Sequence, residues 1–97
     1  MLHILMIRSV RHKGLKRFIE DDDRSRLPPD MVDRIRNILT ALADAATIDE
    51  MDLPSYRLHA LKGDLTGFHA ITVRANWRII FRFEDGDAFD VDFVDYH

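Results

Sequence analysis

The sequence predicts an α+β domain in which an N-terminal strand and two helices pack on one face of a small antiparallel sheet. Three observations lead there. Met31, Ile35, Ile38, Leu39 and Leu42 recur at helical steps behind Pro28 and Pro29, giving a single apolar stripe that needs a sheet to cover. From Tyr56 onward the pattern changes to alternation of period two, the strand signature. The last such stretch, residues 89–97, alternates apolar and acidic residues and ends on Asp95, Tyr96 and His97, which reads as a functional edge. A chain of 97 residues makes one domain, 1–97, with a modest core.

Each element can be placed in order. Residues 1–7 are apolar and read as a first strand, with Met6 as an alternative start; Arg8 interrupts the run, leaving it too short for a signal peptide or a membrane span. Residues 14–20 set Leu15, Phe18 and Ile19 at helical spacing, and the run 21–26 ends that helix in a solvated loop. The Met31–Leu42 stripe is the second helix. Asp49, Asp52 and Pro54 mark a turn-rich close to the helical half. A loop centred on Ala75 pairs Val73 with Trp77 and Ile71 with Ile79. At Asp85 and Gly86 a two-residue loop would set Arg82 opposite Phe89 and mix the faces. A three-residue loop instead pairs Phe83 with Phe89, Phe81 with Val91 and Ile79 with Phe93, and is preferred. It leaves Arg82 opposite Asp90, Ile80 opposite Asp92 and Arg78 opposite Val94, so that one face packs on helices and the other is polar and basic.

Net charge is −3, but it is segregated. Residues 1–19 carry five Arg and Lys and no acid, and residues 54–82 carry five against one acid. Acids collect at 20–23, 44–52 and 84–95. Local potential decides what docks, so basic and acidic surfaces can serve different partners; the plainer alternative is opposite charges pairing across a solvated sheet. Cysteine is absent, which excludes disulfides and thiolate metal sites and fits a cytoplasmic setting. No His-x-x-x-His or Glu-x-x-His spacing occurs, and neither a metal site nor another cofactor is expected.

His59, Lys62 and Arg78 are the residue types that handle a phosphate, and each lies in or beside a predicted strand. With them the sequence shows a set of ordered motifs: the run from His12, Lys13 and Gly14 to Phe18; Met51, Asp52, Leu53, Pro54; Arg57, Leu58, His59, Ala60, Leu61, Lys62, Gly63, Asp64, Leu65; Asn76, Trp77, Arg78, Ile79; and Val91, Asp92, Phe93, Val94, Asp95, Tyr96, His97. In this the chain resembles the HigB-type toxins of the RelE superfamily over nearly its whole length. One departure is Ala75, where a glycine is expected.

The resemblance implies a toxin of a bacterial type II toxin–antitoxin pair, a ribosome-dependent endoribonuclease that cuts messenger RNA in the decoding site. Its partner would be a HigA-type helix-turn-helix antitoxin. The functional positions carried over are His59, Lys62, Arg78, Asp95, Tyr96 and His97. Cutting RNA without a metal takes a proton from the 2′-OH, steadies charge on the phosphate oxygens and protonates the leaving 5′ oxygen. Imidazoles at His59 and His97 suit the proton steps, with His97 favoured as acid or base. Arg78 offers a fork for two phosphate oxygens, Lys62 a mobile charge, Asp95 an orienting group or base, and Tyr96 a stacking or hydrogen-bonding ring. Arg8, Arg11, Lys13, Lys16, Arg17 and Arg82 are the candidate contacts to ribosomal or messenger RNA.

Plainer readings stand beside these. Arg78 can pair with Asp92 across the hairpin. His59 and Lys62, three apart, share a site only if the strand ends or bulges between them, which Gly63 favours. His69, opposite Phe81, is structural, Trp77 is core, and His3 and His12 are surface or edge residues. Two other functions remain open: a toxin of the same fold acting on DNA gyrase, and a non-catalytic antitoxin-binding corepressor.

Overall fold

The computed structural model describes residues 7–96. Helix α1 spans Lys13–Asp21, and its amphipathic pattern buries Leu15, Phe18 and Ile19. It ends because Asp22 turns left-handed (φ 55°), with its N–H bonded back to the helix carbonyls. Just before it, half-buried His12 caps the helix, Nδ1 accepting the Leu15 N–H at 3.1 Å, and its ring meets Phe93 edge-on at 5.5 Å. Expected as a surface or edge residue, His12 is half-buried and serves as a cap, a role its residue type does not announce. Pro29–Met31 form a 3₁₀ turn that leads into α2, Val32–Asp44. Its stripe of Ile35, Ile38, Leu39 and Leu42 is fully buried. Truncating any one of them to Ala costs about 2–5 kcal/mol. Arg36 joins the two helices, stacking over Phe18 at 4.8 Å and reaching Asp22 at 3.3 Å.

Two further 3₁₀ turns, Ile48–Met51 and Pro54–Tyr56, carry the chain to the sheet. Its strands are β1, His59–Ala60; β2, Phe68–Arg74; β3, Trp77–Glu84; and β4, Asp87–Asp95, in the antiparallel order β1-β2-β3-β4. Most of the expected first strand lies outside the described residues. Its continuation runs parallel to β4, with bridges Ile7 to Ala88 and Val10 to Val91.

The register corrects the hairpin. Glu84 faces Asp87 and Arg82 faces Phe89, so the loop is the two-residue Asp85-Gly86, both at positive φ (50° and 83°). The mixing of faces that argued against this loop is removed by a bulge, where Asp90 adopts φ 53° between the pairs Arg82–Phe89 and Ile80–Asp92. Beyond the bulge the expected pairs hold: Ile80 with Asp92, Ile79 with Phe93 and Arg78 with Val94. A second irregularity pairs Arg74 rather than Val73 with Trp77, while Ile71 faces Ile79 as expected.

The face toward the helices carries Ile71, Val73, Ile79, Phe81, Ala88, Val91 and Phe93, continuous with the helical core. Trp77 stacks on Phe93 at 4.6 Å, and His69 stacks on Phe81 at 6.1 Å. The opposite face is not simply polar and basic. Phe68, Ala70 and Ile80 form a second apolar cluster there, with Leu61, Leu65 and Val94 packed against it.

Candidate active site

Directly paired residues share a face, so the register locates the site. On the face away from the helices, His59, Ala70, Ile80 and Asp92 make one row across all four strands. Toward the end of β4 the next row is Thr72, Arg78 and Val94; on the other side lies Phe68, Arg82 and Phe89. His59 and Arg78 are thus two strands and two residues apart, roughly 12 Å between Cα atoms from standard strand spacings. Two long side chains can close on a phosphodiester across such a gap.

His59 is exposed, and its Nδ1 lies 3.0 Å from the Arg57 carbonyl oxygen. A carbonyl only accepts, so in this contact Nδ1 carries the proton and neutral His59 keeps a lone pair on Nε2. Arg57 is left-handed (φ 51°), part of the sharp turn that brings its carbonyl back to the ring. Arg78 is half-buried, and Nη1 donates to the carbonyls of Ala75 at 2.5 Å and Trp77 at 3.0 Å. Asp92 meanwhile accepts the Phe93 N–H. The Arg78–Asp92 pair considered from sequence is therefore replaced by backbone anchoring at the Arg74–Trp77 turn.

Tyr96 is 39% exposed. Its N–H donates to the Asn76 carbonyl at 2.7 Å, fixing it beside the same turn. Asp95 pairs with Trp77, so alternation sends it to the other side of the sheet rim from Val94. His97 lies outside the described residues, as does His3. Lys62 is separated from Arg78 rather than joined to it. The Leu61 N–H bonds the Phe68 carbonyl, so the chain leaves His59 toward the Phe68 row; the strand stops at Ala60, and exposed Lys62 precedes the turn Gly63–Leu65 with Gly63 at φ 67°. The strand ending that sequence required is present, and it sets Lys62 at the Arg82 end of the face.

At that end Asp90 meets Arg82, which the sequence sets near it, and also Arg11 and Ser9, which it does not. Arg82 Nε reaches it at 2.9 Å and Arg11 at 3.6 Å, while its N–H bonds the Ser9 hydroxyl at 2.8 Å. Arg11 lies over the Phe68 ring at 5.3 Å and Arg82 over Phe89 at 5.4 Å. The Arg82 hydrogen bond, against some burial and helped by the Arg11 charge, holds the Asp90 carboxyl below the usual carboxylate range. Arg8 pairs with Asp87 at 3.0 Å and Arg17 with Asp23 at 4.0 Å. Lys13 and Lys16 are exposed on α1, around a shallow concavity shared with Arg17, Glu20 and Asp21. Among the described residues, no group of three or more His, Cys, Asp or Glu is placed to hold a metal ion, and no helix is long and apolar enough to cross a membrane.

Comparison with known proteins gives this geometry a family. The chain is similar to "Endoribonuclease HigB" of Proteus vulgaris, 49% identical over 92 residues, covering 95% of this chain and all of the relative. It is also similar to "Toxin HigB-1" of Vibrio cholerae serotype O1, 36% identical over 90 residues, covering 90% and 93% of the two. A "YoeB/ParE toxin from Agrobacterium tumefaciens" superposes with a TM-score of 0.54 at 14% identity, over 96% of this chain and 99% of that one, a likeness of fold. Residues 8–97 match the family described as RelE-like toxin of type II toxin-antitoxin system HigB. The two helices on a four-stranded antiparallel sheet are accordingly the RelE-like fold, and the chain belongs to the HigB-like toxins.

Proposed function

We propose that this toxin is an endoribonuclease that cuts translated messenger RNA in the ribosomal A site by attack of the 2′-OH, without a metal ion. The observation that carries the reading is that His59 and Arg78 share one open face, an imidazole whose Nδ1 meets the Arg57 carbonyl and a guanidinium anchored to backbone. The Nε2 lone pair of His59 accepts the proton of the 2′-OH. The 2′ oxygen then attacks phosphorus, and Arg78 offers its fork to the charge that builds on the non-bridging oxygens. As the bond to the 5′ oxygen breaks, a proton returns from an acid, the role given to His97, with Asp95 as an orienting group and Tyr96 as a stacking or hydrogen-bonding ring. The products are a 2′,3′-cyclic phosphate and a 5′-hydroxyl. Lys62 adds positive charge at the far end of the face, where the RNA backbone continues.

The face is open, so the ribosome supplies the in-line geometry that an enclosed pocket would otherwise provide. Arg8, Arg11, Lys13, Lys16, Arg17 and Arg82 are the contacts to RNA phosphates, and a HigA-type helix-turn-helix antitoxin is the partner that restrains the toxin in the cytoplasm. Primer extension on a message translated by purified ribosomes tests this directly. Cuts within A-site codons are expected with the wild-type protein and are lost with His59→Ala or Arg78→Ala. Equal cutting of naked RNA refutes the ribosome's role, and a block of replication that precedes any fall in translation refutes the nuclease reading.

A further inference from the structure

Strand β1 is only two residues long and lies at the sheet edge, so its own pairing is a weak constraint on where His59 sits. A side chain from α2 supplies another. Arg34 Nη2 donates to the Ser55 carbonyl at 2.6 Å and to the Thr72 carbonyl at 2.9 Å, and the guanidinium lies over the Tyr56 ring at 5.1 Å. Both carbonyls matter to the site. Because the Phe68 carbonyl faces β1, alternation directs the Thr72 carbonyl to the same edge, beyond the point where β1 ends. Thr72 is also the partner of Arg78 in β3. Ser55 and Tyr56 immediately precede Arg57, whose carbonyl takes the Nδ1 proton of His59. Nε of Arg34 is buried without a hydrogen-bond partner, a cost tolerated where the rest of the group is fixed.

We infer that Arg34 is a positioning residue for the cleavage reaction, clamping the Ser55–Arg57 turn to β2 so that the Arg57 carbonyl holds His59 as the Nδ1–H tautomer with Nε2 aimed across the sheet at the substrate. The inference rests on the nuclease reading above for its consequence, although the tautomer itself is independent of it. Planar geometry is what the task needs. Two carbonyls and an aromatic face are met at once by a guanidinium, whereas an ammonium meets them singly. The arrangement also sets the spacing between His59 and Arg78, since the same side chain grips the strand that Arg78 pairs with.

The test compares Arg34→Met and Arg34→Lys with wild type, using imidazole ¹⁵N shifts of His59 and single-turnover cleavage on programmed ribosomes. In folded Arg34→Met the His59 shifts are expected to move from the Nδ1–H pattern toward a mixture of tautomers, with cleavage down about 10- to 100-fold and binding to ribosomes unchanged. Arg34→Lys, which preserves charge and the aliphatic stem, gives a smaller loss in the same direction and serves if the Met variant melts. In a His59→Ala background, Arg34→Met should add no further loss. Unchanged His59 shifts, or an equal further loss without His59, overturn the inference. If His59→Ala alone cleaves like wild type, His59 is not the base of the reaction and the effect of Arg34 on cleavage falls with it, while the shifts still decide whether Arg34 holds the tautomer; if the wild-type protein cuts no translated message, the nuclease reading itself fails.

Discussion

Asp90 shows how one side chain can fix several others. It sits at the bulge with φ 53°, a conformation that aspartate and asparagine tolerate better than most residues. From there it accepts from Arg82 and Ser9 and faces Arg11. Its depressed carboxyl gives stability that is fully present above the unfolded-state value near 3.9 and is lost as pH falls through the folded one. Asp90→Asn, which keeps the backbone preference and removes the charge, should cost about 1 kcal/mol at neutral pH. It should also flatten the acid limb of a urea-denaturation series below about pH 4; an unaltered limb would mean the carboxylate is not the source. Ala75 is the converse case. At φ 50° its methyl group is strained, which explains why a glycine is expected there, and Ala75→Gly should stabilise by about 0.5–1 kcal/mol, a rise of several degrees in Tm.

At the scale of elements, α1 depends on a close approach that has no side chain of its own. A Cβ on Gly14 would stand 2.9 Å from His12 Cε1 and 3.0 Å from Arg26 Cβ. Gly14→Ala should therefore cost about 1–3 kcal/mol by displacing the capping ring from Leu15 and Phe93, although alanine is the better helix former. Thermal melts measure the loss, and a gain in Tm would exclude the clash. The helices themselves were legible because Leu15, Phe18, Ile35, Ile38 and Leu42 obey one period without interruption. The hairpins were legible only in part: parity arithmetic assumes an unbroken ladder, and the bulges at Asp90 and between Thr72 and Arg74 each insert a residue that no alternation reveals. The same limit applies to the site. Residue types pointed to His59 and Arg78, but the carbonyls that orient them, Arg57 and Ala75, are backbone and leave no trace in residue identity. His12 escaped notice as a cap because the usual N-cap residues are Ser, Thr, Asp and Asn.

The whole molecule divides its cations between two duties, and that division predicts how it meets RNA. Arg8, Arg11, Arg17 and Arg82 are each within 4.0 Å of a carboxylate, so part of their charge is already spent inside the protein. Lys13 and Lys16 stand exposed on α1, and Lys62 stands exposed at the sheet edge. If docking on ribosomal RNA is largely electrostatic, each lysine that meets a phosphate releases counterions and steepens the salt dependence of binding, while a paired arginine must first exchange its carboxylate for a phosphate and contributes less. Ribosome binding measured across a salt series should then lose about one unit of slope per contacted residue for Lys13→Ala and Lys16→Ala, and less for Arg8→Ala or Arg17→Ala. Arg82→Ala should act differently again, lowering stability through Asp90 as well as affinity. A uniform slope change across all five variants would show that the internal ion pairs dissolve on docking, and that the net charge of −3 conceals a basic surface assembled only against RNA.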